Sequence, residues 1–291
     1  MTARQASVVA VLNMKGGVGK TTIAAAVFRE MQKATARRIL LVDFDSQYNL
    51  TQLLVTGARY QELLEQKRTL WHVLTPPALV NVFQISDDDL ATPEPVSSYV
   101  VPLRWVRSGS ERVFIDLLPG DFRTAAINLL TDATSLRVRS LRFKSLIMNA
   151  RTEYDLVVLD CNPSSSFMTR TAVEVSTNLL VPVRPDSYSI LGLDMIVDFI
   201  ENLPTLADPP NISILVNDLA THEQHGSVLA QLRSNAFYGP RTLVNTLPDS
   251  RHLMAHSNRV GFPNDRGGPY SRVVGDKIRR IANELVPVLG L

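Results

Sequence analysis

The stretch Asn13-Met14-Lys15-Gly16-Gly17-Val18-Gly19-Lys20-Thr21-Thr22 decides the reading of this chain. An apolar run, Ser7 to Leu12, precedes it and reads as a buried strand; Ile23 to Met31, Ala-rich and helix-prone, follows it. A strand, a glycine-rich turn and a helix N-terminus make a cradle for phosphate. Glycines let backbone N–H groups close around the oxygens, and the helix dipole adds positive potential. Gly16, Gly17 and Gly19, with Val18 among them, supply that backbone. Lys20 then reaches the terminal phosphates of a nucleotide, the Thr21 hydroxyl is placed to ligate a divalent cation, and Thr22 continues the first helical turn.

Two more segments belong with this cradle. Arg38 to Asp43 reads as a second buried strand, ending in Val42-Asp43-Phe44-Asp45-Ser46-Gln47. Tyr154-Asp155-Leu156-Val157-Val158-Leu159-Asp160 reads as a third, again ending in an acid. Apolar runs buried on both faces are typical of parallel sheets. Carboxylates at the C-terminal ends of such strands face the ligand crevice. Asp160 is placed to hold Mg²⁺ or its water, and Asp43 to support the same site.

The glycine-rich loop departs from the common P-loop pattern in an informative way. Met14 stands where that pattern has glycine five residues before the Gly-Lys pair, and a second lysine, Lys15, enters at the loop mouth. One cradle has little use for two lysines on the same phosphates; the second makes sense if it reaches a nucleotide outside its own loop. The pattern resembles the deviant Walker A motif of the ParA/MinD superfamily, and Asn13-Met14-Lys15 is similar to the Asn-Gln-Lys of its ParA branch. The resemblance implies that Lys15 crosses a homodimer interface to the ATP of the partner.

Further along, the resemblance covers nearly the whole chain, from about Val8 to Leu285. Leu117-Leu118-Pro119-Gly120 looks like the family's strand and turn ahead of its central helices. Leu180-Val181-Pro182-Val183-Arg184-Pro185-Asp186 resembles the strand leading to its Ser-x-x-Gly-Leu helix start, here Ser189-Ile190-Leu191-Gly192-Leu193. Ile214-Leu215-Val216-Asn217 sits where an Asn recognises adenine, and Asn245-Thr246-Leu247-Pro248-Asp249-Ser250 matches the turn that packs against the base. By resemblance, the ATP site uses Gly16, Gly17, Val18, Gly19, Lys20, Thr21, Thr22, Asn217 and Pro248. Thr21, Asp43 and Asp160 serve Mg²⁺, while Lys15, Lys20 and Asp45 are catalytic, with Asp45 orienting the attacking water. One departure is Cys161-Asn162-Pro163, in place of the more usual Thr-Pro-Pro. Cys161 itself reads as a small buried residue.

The remaining elements alternate strand and helix, which predicts an α/β fold: one doubly wound, mostly parallel sheet flanked by helices, in a single domain over 1–291. Strands are expected at Glu111 to Leu118, Leu179 to Val183, Asn211 to Val216 and Thr242 to Thr246. Helices are expected at Leu191 to Asn202, Glu223 to Arg233 and about Ser271 to Val286. Pro76 to Arg112 breaks the rhythm with five prolines and Asp87-Asp88-Asp89. It reads as an irregular surface excursion, with one edge strand near Tyr99 to Trp105.

At 291 residues with 45% hydrophobic and 20% charged residues, the chain can bury a substantial core. A single cysteine excludes an internal disulfide and fits a reducing compartment. The start, Met1 to Ser7, is too short and polar for a signal peptide, and no apolar run reaches the roughly 20 residues that span a bilayer. A cytoplasmic, nucleoid-associated protein is expected. With the first strand starting at Ser7, no helix-turn-helix is expected ahead of it, and no operator binding of that kind is expected.

Net charge is only +2, yet residues 251 to 280 hold seven basic residues against two acidic. That patch, with Arg251, Arg272, Lys277, Arg279 and Arg280 as its candidates, would bind DNA phosphates without sequence preference and with strong salt sensitivity. Arg137, Arg139, Arg142 and Lys144 form a second cluster, but on a helix its members cannot share one narrow face. The resemblance implies an ATPase that dimerises with ATP, binds nonspecific double-stranded DNA, and answers to a ParB-like activating partner. Two other readings are a MinD-like membrane switch, which needs a C-terminal amphipathic helix with a basic face, and a poorly hydrolysing ATP-binding adaptor.

Overall fold

The structure is a computed structural model. It describes residues 5–75, 92–163, 166–186, 188–206, 208–217, 223–247, 253, 260–265 and 269–291. Seven strands form one sheet: β1 (Ser7–Val11), β2 (Ile39–Phe44), β3 (Val101–Ser108), β4 (Glu111–Leu118), β5 (Leu156–Cys161), β6 (Asn178–Val183) and β7 (Asn211–Val216). Their order is β3-β4-β2-β5-β1-β6-β7. Every neighbouring pair is parallel except β3 with β4. The expected α/β sheet is therefore present, and its parallel part is built from the runs that read as buried strands. β2, β5 and β6 are buried at every position, which only a sheet covered on both faces produces.

The helices sort onto two faces. α1 (Lys20–Thr35), α2 (Asn49–Leu54), α3 (Gly57–Glu65) and a long C-terminal helix, Pro269–Val288, cover one side. Ile23, Val27, Phe28 and Met31 of α1 pack there with Leu50, Leu63, Ile278, Ile281 and Leu285 over Val9, Val11, Leu41 and Val158. α4 (Leu70–Leu74), α5 (Ala133–Glu153), α6 (Phe167–Val175), α7 (Ser189–Glu201) and α8 (Glu223–Ser234) cover the other. Val73, Phe143, Ile147, Ala172, Ile196 and Leu232 close over Ala10, Val42, Val157 and Val181. The long C-terminal helix is α9 from here on.

β3 is the edge strand expected within the excursion, running to Ser108 and returning as β4 through a turn at Gly109, whose φ is +59°. The earlier part of the excursion, 76–91, lies outside the described residues. One expected strand is absent: around Thr242 to Thr246 there is a single bridge, Thr242 beside Ile214, and the segment runs on as loop. Its backbone still follows β7, through Leu243 N–H to the Ile214 carbonyl (2.8 Å) and Leu247 N–H to that of Val216 (3.0 Å). Between those two contacts the Val244 and Asn245 amides donate to the Glu284 carboxylate instead, at 2.6 and 3.0 Å, so no ladder forms. α5 also disperses the second basic cluster. Arg142 is buried and donates to the Val73 carbonyl at 2.7 Å, and Lys144 pairs with Glu174 at 2.9 Å.

Candidate nucleotide site

β1 sits mid-sheet, and the chain leaves it toward β2 on one side and is joined by β6 on the other. A crevice at the C-terminal ends of such strands is where open α/β sheets bind ligands. The glycine-rich loop lies there, between β1 and α1. Gly17 and Gly19 take left-handed backbone, with φ of +72° and +89°, which side chains on Cβ resist. Gly19 has a second reason to lack a side chain. A Cβ there would meet the Asn217 side-chain nitrogen at 2.4 Å.

Lys20, the first residue of α1, is buried, and its ammonium donates to the carbonyls of Asn13 (3.2 Å) and Lys15 (3.1 Å) across the loop mouth. Burial lowers its pKa, and the nearby carboxylates, Asp160 foremost and then Asp45, act against that fall. Asn13 holds the loop entrance in place: its amide donates to the Pro182 carbonyl at 2.7 Å, and its oxygen accepts from Lys15 N–H at 2.8 Å. Lys15 turns away from this cradle. Its side chain is about half exposed and its ammonium pairs with Asp186, beyond the end of β6. Asp186 in turn accepts from Tyr188 N–H at 3.1 Å, ahead of α7. The two lysines thus differ in placement: Lys20 lies over the loop mouth, and Lys15 pairs with Asp186.

Three acids converge from two neighbouring strands. Asp43 and Asp160 stand directly opposite one another in the β2–β5 register, both buried. Asp43 Oδ2 accepts from Thr51 N–H (2.7 Å) and from the Thr51 hydroxyl (2.6 Å), while Oδ1 has no partner. Burial first, then the charge of Asp45, push the Asp43 carboxyl up to about 7, against the hydrogen bonds from Thr51. Asp160 has no hydrogen-bond partner at either oxygen. Burial and then the Asp43 charge raise it well above the usual carboxylate range, with Thr21 and Lys20 pulling the other way. Asp45 is buried and accepts from Gln47 N–H at 2.9 Å. Cys161 is fully enclosed, its thiol pushed up by burial, and behaves as the small buried residue expected.

Such orphaned, mutually repelling oxygens fit a divalent cation. No group of three or more His, Cys, Asp or Glu side chains among the described residues is arranged to hold a metal ion by itself, so these carboxylates do not form an all-protein cage. Mg²⁺ commonly takes one or two carboxylates and completes its shell with water and substrate phosphates. Asp43, Asp160 and Thr21 meet that description.

Other site candidates fare differently. Asn217, at the end of β7, donates its side-chain amide to the Val18 carbonyl at 2.8 Å, so it touches the loop itself. Pro248 and Arg251 lie outside the described residues. Arg272, Lys277 and Arg280 line the exposed outer face of α9, without an ion pair to any described residue. Arg279 is different: it is tied to Asp276 at 3.1 Å and to buried Glu30 at 3.6 Å, within a network that joins Arg29, Lys33 and Asp265. Sequence reasoning missed Asn13, Thr51 and Asp186 as site residues. Asn13 and Asp186 sat inside quoted motifs, while Thr51 lies eight residues past Asp43, on a different element, where no local pattern announces it.

Comparison with known proteins agrees with this geometry. A family model described as an AAA domain matches residues 6–214. An uncharacterized protein of Pseudomonas putida is 28% identical over 287 residues, covering 94% of this chain and 95% of its own length. The chromosome partitioning protein ParA of Caulobacter vibrioides is 25% identical over 250 residues, covering 85% and 82%. Among solved structures, a plasmid partition protein of Borrelia burgdorferi bound to AMPPNP superposes with a TM-score of 0.64 at 17% identity, over 96% and 98% of the two chains. pNOB8 ParA bound to nonspecific DNA gives 0.61 at 19%, over 97% and 98%. With the cradle, the strand-end acids and the outlying lysine in place, the chain belongs to the matched AAA-domain family and is a P-loop NTPase of ParA type.

Proposed function

We propose that this protein is an ATPase working as a dimerising switch. The ATP-bound homodimer binds nonspecific double-stranded DNA, and hydrolysis releases it, so that cargo is partitioned or positioned. The observation that carries the reading is the division of labour between the two lysines. Lys20 sits over its own loop mouth, whereas Lys15 is half exposed beside Asp186, outside that loop. A lysine so placed is free to neutralise charge on the nucleotide of a second copy.

Phosphoryl transfer asks for positioning and charge neutralisation more than for covalent help. Gly16, Gly17, Val18, Gly19 and Thr22 contribute the backbone cradle, and Lys20 stabilises the terminal phosphates. Asp43, Asp160 and Thr21 would hold Mg²⁺, which when bound would offset phosphate charge. Asp45 orients the attacking water. Asn217 and Pro248 are the residues assigned to recognition of the base. Turnover is slow and stimulated by a ParB-like partner, and the chain acts as one domain in the cytoplasm, on the nucleoid. Support for the DNA step comes from the exposed Arg272, Lys277 and Arg280, with Arg251 and Arg279 nearby in sequence, and from the DNA-bound pNOB8 ParA neighbour.

The membrane reading loses its main support. No helix among the described residues is long and apolar enough to cross a membrane. α9, the candidate amphipathic helix, spends its apolar face on the core: Ile278, Ile281 and Leu285 are buried against α1.

The test is mass by light scattering with ATP and Mg²⁺. Asp45→Ala, which slows hydrolysis, should double in mass and Lys15→Gln should stay monomeric. A Lys15→Gln protein that dimerises as readily as Asp45→Ala would overturn the trans role of Lys15.

A further inference from the structure

We propose that Thr51 is a positioning residue for the divalent cation of this site. The inference rests on the reading of Asp43 and Asp160 as the cation's carboxylates and adds the group that aims one of them.

Three contacts make the argument. The Thr51 backbone N–H donates to Asp43 Oδ2 at 2.7 Å, its hydroxyl donates to the same oxygen at 2.6 Å, and Gly120 N–H reaches the hydroxyl oxygen at 2.8 Å. A threonine hydroxyl has one proton and two lone pairs. Because Gly120 N–H occupies a lone pair, the single proton is committed to Asp43. Oδ2 is thereby supplied by two donors, and Oδ1 is left as the oxygen with lone pairs to spare.

The carboxylate is also confined by shape. A Cβ at Gly120 would stand 2.8 Å from the Asp43 carboxyl carbon, so the turn after β4 presses backbone directly on it. Thr51 is 1% exposed, which denies water the chance to replace its hydroxyl. Asp43 is thus held from α2 and from the Pro119-Gly120-Asp121 turn at once. Groups that orient metal ligands in this way typically matter about 10- to 100-fold for metal affinity.

The experiment uses the full chain saturated with ADP, titrated with Mn²⁺, with free Mn²⁺ read by electron paramagnetic resonance. ADP affinity in EDTA is measured alongside. Thr51→Val keeps the shape and the backbone N–H and loses the hydroxyl; Thr51→Ser keeps the hydroxyl. The expected result is Mn²⁺ affinity weakened about tenfold or more in Thr51→Val, restored in Thr51→Ser, with metal-free ADP affinity equal in all three. Wild-type Mn²⁺ affinity in Thr51→Val would overturn the proposal. So would an equal fall in metal-free ADP affinity, which assigns Thr51 to the scaffold alone. If wild type takes up no Mn²⁺ with ADP, the cation reading itself fails and the role of Thr51 falls with it.

Discussion

Asp43 and Asp160 face one another across the β2–β5 pair, and three of their four carboxylate oxygens meet no hydrogen-bond donor. Two buried acids so close store unfavourable free energy that a bound cation would relieve. Function and stability therefore pull in opposite directions at this point of the sheet.

Asp160→Asn should accordingly raise the stability of the ligand-free protein, by about 1–3 kcal/mol, since it removes a buried unpaired charge. It should also abolish the extra thermal stabilisation that Mg²⁺ adds to nucleotide. Melting curves with and without Mg²⁺ and ATP decide it, and a lower melting temperature for the free variant would count against the account.

Gly19 and Gly16 should separate cleanly. Gly19→Ala must place a side chain at φ +89° and drive it against Asn217, whereas nothing lies within 4 Å of a Cβ at Gly16. Strain of this kind costs roughly 1–3 kcal/mol. Gly19→Ala should lose that stability together with nucleotide binding, and Gly16→Ala should fold like wild type. Equal melting temperatures for the two variants would remove the Asn217 contact from the explanation.

The phosphate cradle, the strand-end acids and the doubly wound sheet were legible because each is written within a short window. Gly16 to Thr21 needs no distant residue to be understood. Asp43 and Asp160 each close an apolar run, and their pairing follows once the strands are parallel neighbours. What was not legible arises between windows. Asn217 touches Val18 across 199 positions, and Thr51 acts on Asp43 from the following helix. The Thr242 to Thr246 strand was overread, because Glu284, distant in sequence, takes the Val244 and Asn245 amides that a ladder would use. Arg279 was read from local composition, and its ion pair with Glu30, buried and distant in sequence, is not visible there.

The Lys15–Asp186 pair is exposed on both sides, so it should contribute at most about 1 kcal/mol to folding. Asp186→Asn keeps an oxygen for Tyr188 N–H, and Lys15→Gln touches no core residue. Both should unfold in denaturant within about 0.5 kcal/mol of wild type. A large loss in either would make the pair structural and weaken the case for Lys15 as a free-reaching group.

Asp121 gives the pH dependence a sign. It is buried, which raises its carboxyl, but hydrogen bonds from Arg123 (2.6 Å to Oδ2) and Thr69 (2.7 Å) outweigh this and leave it below the usual range. A depressed carboxyl lends stability that is fully present above the unfolded value, about pH 4, and is lost as pH falls through the folded one. Wild type should lose stability more steeply than Asp121→Asn below about pH 4, as read by melting temperature against pH. Parallel curves would contradict this assignment.

DNA binding by purified protein, with ATP, ADP or no nucleotide and across a salt series, tests the central claim most directly. Wild type would run beside Lys15→Gln, Asp45→Ala and the pair Arg272→Ala with Arg280→Ala. The account predicts binding only with ATP, retained in Asp45→Ala and lost in Lys15→Gln. The arginine pair should bind more weakly, its salt slope reduced by about one for each phosphate contact removed. Binding that ignores the nucleotide, or that survives in Lys15→Gln, would contradict it.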